Sequence, residues 1–237
     1  MNYLLITMLL GLLILIHELG HFLAARWVGI PVRRFSVGFG PRVWGMKRAE
    51  TEYWLSAIPL GGYVLPAVED EHEYFRIPLR KRLAFAAGGP LANLLLPVPL
   101  FAAMNVLGGG LSAGGVLVAP VLQTGEMLGR LVASIPQLFA RPEAVSGVVG
   151  IVVEGGGFIG SDPVRALQFA VLLSLNLAVL NMLPIPMLDG GKIVLHLLEK
   201  LHPAATRLYV PLSVLGLVFI LGLVVYTTAV DIGRYVL

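Results

Sequence analysis

The segment LILIHELGHFLAA, residues 13–25, sets two histidines and a glutamate inside an otherwise apolar run. On a helix, His17 and His21 stand four positions apart on one face, about one turn from each other, and can ligate a single ion. Glu18, beside the first imidazole, reaches a water on that ion without being a ligand. Zinc held there lowers the pKa of its water toward ~7, while the Glu18 carboxylate takes and returns the proton, which is hydrolytic chemistry. The pattern alone is loose, and in an ordinary soluble helix such residues are more often solvated or core histidines. The apolar setting changes that weighing. Each ionisable side chain within a spanning helix costs about 2.5–3.5 kcal/mol on insertion scales, and such residues are usually functional.

Catalytic zinc commonly takes three protein ligands and keeps one position open. The chain has no cysteine, so the third ligand must be His, Asp or Glu. Asp189, in NMLPIPMLDGG at residues 181–191, follows an apolar stretch and stands among prolines and glycines. Irregular backbone at membrane depth is tolerated only around a protein-lined or watered cavity, which makes Asp189 the candidate. Taken by itself, the same aspartate reads more readily as the N-cap of a helix over residues 190–198.

These groups need elements to hold them. Of 237 residues, 57% are hydrophobic and 13% charged, against about 25% charged in soluble domains. Mean hydropathy is +0.85. The reading is an all-α polytopic membrane protein with about four spans, at residues 4–25, 83–107, 166–183 and 209–230, in a single domain over residues 1–237. The first apolar run lacks a basic leader and a small-residue cleavage site, so it is read as retained. Pro97 and Pro99 bend the second span. Between the first two spans, residues 32–66 alternate β-branched and aromatic residues with Gly and Pro, which predicts short strands at or dipping into the membrane surface. Residues 121–140 carry apolar side chains at three- and four-residue spacing, an interfacial amphipathic helix that Pro136 interrupts.

Ten of the 17 Lys and Arg residues lie in residues 26–82, whereas residues 108–164 carry only Arg130 and Arg141. The positive-inside rule then places the first connection in the cytoplasm and both termini outside. The net charge of +3 is modest and forms no basic arm, which leaves nucleic-acid binding without support.

HELGH in the first span, the GFGP and IPLGGYV stretches, GGPLAN at residues 88–93 and NMLPIPMLDGG together resemble the site-2 protease family of intramembrane zinc metalloproteases, particularly its bacterial branch. The resemblance covers all four spans in order. It implies Zn2+ held by His17, His21 and Asp189, Glu18 as the catalytic base, and Asn181 holding substrate or stabilising the oxyanion; interhelical hydrogen bonding is the plainer role for Asn181. It also implies location in the cell (inner) membrane with the active site toward the cytoplasm. The implied partners are membrane-spanning substrates such as anti-sigma factors or remnant signal peptides, and the lipid bilayer. The β-rich stretch resembles a membrane-associated hairpin whose edge pairs with an extended substrate. Many bacterial relatives insert PDZ domains between the second and third spans, for which residues 108–164 leave too little room.

Two rivals stand beside this reading. A non-catalytic scaffold or chaperone binding transmembrane helices would keep zinc as a structural element, but has no use for Glu18. A metal transporter would place acidic or His residues on several spans, which the second and fourth do not. His72, within an acidic loop, and His196 and His202 are assigned no chemistry. Gly88, Gly89 and Asn93 are read as packing and polar contact, and Arg80, Lys81 and Arg82 as a boundary anchor.

Overall fold

A computed structural model describes residues 2–140 and 146–235. Arg141 and Val145 lie outside the described residues, as does the side chain of His72. The chain begins with α1 (Asn2–Val28), followed by strands β1 (Val32–Arg48) and β2 (Thr51–Pro66). Helices α2 (Glu71–Arg76), α3 (Leu79–Leu95) and α4 (Pro97–Gly109) lead through a π-helical turn to α5 (Ala119–Ala140). Then come α6 (Val148–Ile159), α7 (Pro163–Asn181), α8 (Asp189–Leu201), a short 3-10 turn and α9 (Tyr209–Tyr235).

The polytopic helical architecture with a small sheet after the first helix agrees with the sequence reading. Among the described residues, five helical stretches are long and apolar enough to cross a membrane: Tyr3–Val28, Leu79–Gly109, Gly114–Gln137, Pro163–Asn181 and Thr206–Tyr235. The third of these overlaps the expected amphipathic segment, residues 121–140, as far as Gln137. Contrary to expectation, α5 runs through Pro136 without a break. The chain packs as two units, one of Leu10–Asn93 and Leu180–Val214, the other formed by the first turns of α1, Leu94–Val179 and the chain from Leu215 onward.

In the first unit, α1 ends at Gly29, whose φ of +71° a side chain would strain. The Ile30 N–H donates to Ala25 O at 2.8 Å, closing a Schellman-type cap that turns the chain into the sheet. Ala25, Ile30 and Val32 form a small buried core under Phe22, Val64, Ile77 and Phe85. The sheet is a bent hairpin. Arg48 pairs with Thr51 and Arg42 with Ser56, while the opening residues of β1 turn back along the end of β2, Val37 opposite Gly62 and Val32 opposite Pro66. Arg34 stacks 3.3 Å over the Trp54 ring and bonds Glu52, holding that carboxyl below its usual range. Helix α3 crosses α1 at Gly20 and Gly88; a Cβ on Gly20 would lie 2.3 Å from Gly88 O. The close packing expected of the GGPLAN stretch is therefore present.

Arg82 corrects a reading. It is no boundary anchor but is 2% exposed, donating to both Glu199 carboxylate oxygens (2.7 and 2.9 Å) and to Ile77 O. Its Nη1 also donates to His196 Nδ1 at 3.1 Å, so the His196 proton sits on Nε2, facing the Tyr74 hydroxyl. Burial and the adjacent guanidinium push the His196 pKa down to about 4 and keep the ring neutral. This network pins α8 to α3. Asp189, Lys192, His196 and Glu199 face inward, whereas Val194, Leu197, Leu198 and Leu201 are exposed. Apart from buried Leu195 and exposed Lys200, the helix thus carries polar side chains in and aliphatic ones out.

In the second unit, Asn105 on α4 and Gln123 on α5 exchange amide hydrogen bonds. Helix α6 starts at an N-cap glycine, Gly147, with no side chain to cap it. Asp231 of α9 supplies the missing acceptor: buried, it receives the Gly150 N–H at 2.7 Å. We expect Asp231→Ala to destabilise the protein by about 1–2 kcal/mol and Asp231→Asn by less. Thermal unfolding in detergent checks this, and equal transitions for parent and Asp231→Ala would refute the capping role.

Candidate metal centre

The apolar helix α1 presents His17 and His21 on one face, and both are buried. Opposite them, α8 begins at Asp189. Leu188 occupies the N-cap position without a side-chain bond, so Asp189 sits in the first turn with its carboxylate turned toward the imidazoles. His17 Nε2 lies 3.0 Å from Asp189 Oδ2, His21 Nε2 lies 3.1 Å from the same oxygen, and the two nitrogens are 3.2 Å apart. Asp189 is therefore not the N-cap, and its carboxylate stands where it could share an ion with the two imidazoles.

With both imidazoles neutral, hydrogen bonding does not satisfy every side of this triangle. His21 Nδ1 is 2.7 Å from Phe85 O, and a carbonyl only accepts, so the proton is on Nδ1. The longer approach of Gly89 N to that nitrogen, 3.3 Å, is then donor against donor and contributes nothing. A neutral His21 so arranged aims the Nε2 lone pair at a carboxylate oxygen. Three such atoms converging in a buried space could hold a cation among them. The separations suit one: ligand atoms at about 2.0 Å from a tetrahedral zinc stand ~3.3 Å apart. Gly89 keeps the space open, since a Cβ there would fall 2.4 Å from His21 Nε2 and 2.6 Å from His17 Nε2. Among the described residues, His17, His21 and Asp189 are the group able to hold a metal.

Around these three stand two groups that the sequence reading did not connect with them. Lys192 donates to Asp189 Oδ1 at 3.0 Å, leaving Oδ2 for the imidazole side. The Asn93 amide lies 3.4 Å from His17 Nδ1. The three-residue step from Asp189 to Lys192 on a helix was a readable signal; Asn93 makes the polar contact expected of it, but its partner, on a different helix, was not readable from spacing. Glu18 is half-buried beside the pair, and its Cγ lies 3.2 Å from where a Gly62 Cβ would be, so strand β2 passes over it. Its carboxylate makes no hydrogen bond among the described residues. Asn181 closes α7, half-buried, and makes no hydrogen bond with the His–His–Asp group among the described residues.

A polytopic membrane chain that carries an HExxH helix and a distant aspartate on one buried centre belongs to a narrow class. The family model described as Peptidase family M50 matches residues 5–223, and the chain belongs to that family. Among relatives, a candidate zinc metalloprotease of Nostoc sp. is 27% identical over 338 aligned positions, covering 92% of each chain. One of Synechocystis sp. is 28% identical, covering 94% of this chain and 92% of its own. A third, of Treponema pallidum, is 38% identical over 131 residues, and that match spans 48% of this chain but only 29% of the relative. The 338 positions exceed the 237 residues present here, so the Nostoc relative carries residues within the matched span that this chain lacks. Consistent with that, the described part of residues 108–164 is helical and contains no strand from which a PDZ domain could be built.

Proposed function

We propose that this chain is a zinc endopeptidase that hydrolyses peptide bonds within transmembrane segments of membrane-anchored proteins. The observation that carries the proposal is the buried convergence of His17, His21 and Asp189, with Glu18 one residue along a helix apolar enough to cross a bilayer. Zinc, when bound, supplies the Lewis acidity that makes water nucleophilic at neutral pH. His17 Nε2, His21 Nε2 and Asp189 Oδ2 hold it. Glu18 accepts the proton of the attacking water and delivers it to the leaving amide nitrogen, so one water is consumed per bond cut.

A helical substrate hides its carbonyls within its own hydrogen-bond ladder and must unwind before attack. The sheet edge beside Glu18 offers backbone groups to the freed strand. Asn181 is assigned to hold the substrate backbone there. Anti-sigma factors and remnant signal peptides are the substrate classes proposed, at the inner membrane with the centre toward the cytoplasm. Helix α5 is assigned to the membrane interface, because its Glu126–Arg130 pair, mid-helix and exposed, is costly at the bilayer centre. Both termini then lie outside the cytoplasm.

The test uses purified full-length chain and a single-span reporter in vesicles. The expected result is zinc in the protein and a cut inside the span that a chelator stops and zinc restores. Cutting that persists in chelator overturns the proposal. Zinc without any cut also overturns it, in favour of a helix-binding scaffold.

A further inference from the structure

We propose that Asn93 is a positioning residue of the metal centre, its side-chain carbonyl oxygen accepting the Nδ1–H of His17 and thereby aiming Nε2 at the ion. This rests on the reading of His17, His21 and Asp189 as ligands. His17 turns Nε2 to the other two ligand atoms, at 3.0 and 3.2 Å. A neutral imidazole that ligates through Nε2 carries its proton on Nδ1. The atom placed nearest Nδ1 is the Asn93 side-chain nitrogen, at 3.4 Å, in a fully buried residue. An amide has an oxygen end and a nitrogen end related by a flip, and a proton on Nδ1 selects the oxygen. A buried N–H left without an acceptor is expensive, so the choice is energetically enforced.

His21 is held in the same manner through a different group, its Nδ1–H donating to the Phe85 carbonyl at 2.7 Å. Both acceptors come from α3. Asn93 lies four residues after Gly89, so one face of that helix leaves the space for the ion and orients a ligand beside it. Outer partners of this kind raise the basicity of the ligating nitrogen and fix the ring, and their removal costs about 10–100-fold in metal affinity.

The experiment measures zinc affinity of the full-length chain by competition with a chromophoric chelator, with the absorption spectrum of the cobalt(II)-loaded protein as a second readout. Asn93→Leu is expected to weaken zinc binding about 10–100-fold and to shift the cobalt bands. Asn93→Asp, which offers a carboxylate oxygen to the same N–H, is expected to bind zinc at least as tightly as the parent. Nitrogen-15 NMR of the zinc-loaded parent should find His17 protonated on Nδ1. Parental affinity in Asn93→Leu, equal weakening in both variants, or a proton on His17 Nε2 would each overturn the inference. Should Asn93→Leu not fold, Asn93→Asp and the tautomer decide it. A parent that binds no zinc would overturn the metal reading itself, which separates the two failures.

Discussion

Replacing Gly89 with alanine should empty the protein of metal while leaving it folded. The added methyl would stand 2.4 and 2.6 Å from the two Nε2 atoms, well inside van der Waals contact and in the space an ion needs. The rings have little room to retreat, since His21 is tied to Phe85 O and α1 already touches α3 at Gly20 and Gly88. Alanine is worth about 1 kcal/mol over glycine within a helix, which acts against any loss of α3 itself. Overpacking costs about 1–3 kcal/mol, short of unfolding a typical domain. Elemental analysis of parent and Gly89→Ala, alongside their thermal transitions, reads both halves. A folded Gly89→Ala protein with the parent's metal content would show that no ion sits between the imidazoles.

Glu18→Gln should do the reverse, keeping the metal and losing the reaction. Glutamine preserves size and polarity but accepts no proton at working pH. The proposed ligands His17, His21 and Asp189 are untouched, so zinc content should match the parent. General-base catalysis contributes about 10²–10⁴-fold, and cleavage of a single-span substrate should fall by that factor. Cleavage at the parental rate would remove Glu18 from the mechanism. The two variants together divide the site into a part that holds the ion and a part that uses it.

How much was legible beforehand follows from which forces are local. The four-residue step between His17 and His21 is a property of the helix, so spacing alone put them on one face. Asp189 was found by a depth argument, and its convergence with residues 168 and 172 positions earlier is a tertiary fact that the motif resemblance supplied. Arg82 was misplaced because a basic cluster at a helix start ordinarily faces lipid headgroups, and only the return of Glu199 from α8 made burial affordable. The span read at residues 83–107 divides at Leu96 into α3 and α4, and α3 starts earlier, at Leu79. Helix α6 was missed altogether: its glycines argue against a helix, yet Gly155 and Gly156 admit the Phe169 and Tyr3 rings, so packing outweighs propensity.

The orientation of α8 bears on protein engineering. A catalytic fragment cut from this chain for work in plain buffer would present four aliphatic side chains, at 194, 197, 198 and 201, to bulk solvent along a single stripe. Recolouring that stripe with hydrophilic residues would leave Asp189, Lys192, His196 and Glu199 where they are. Those four outer positions are the place to begin a water-soluble version.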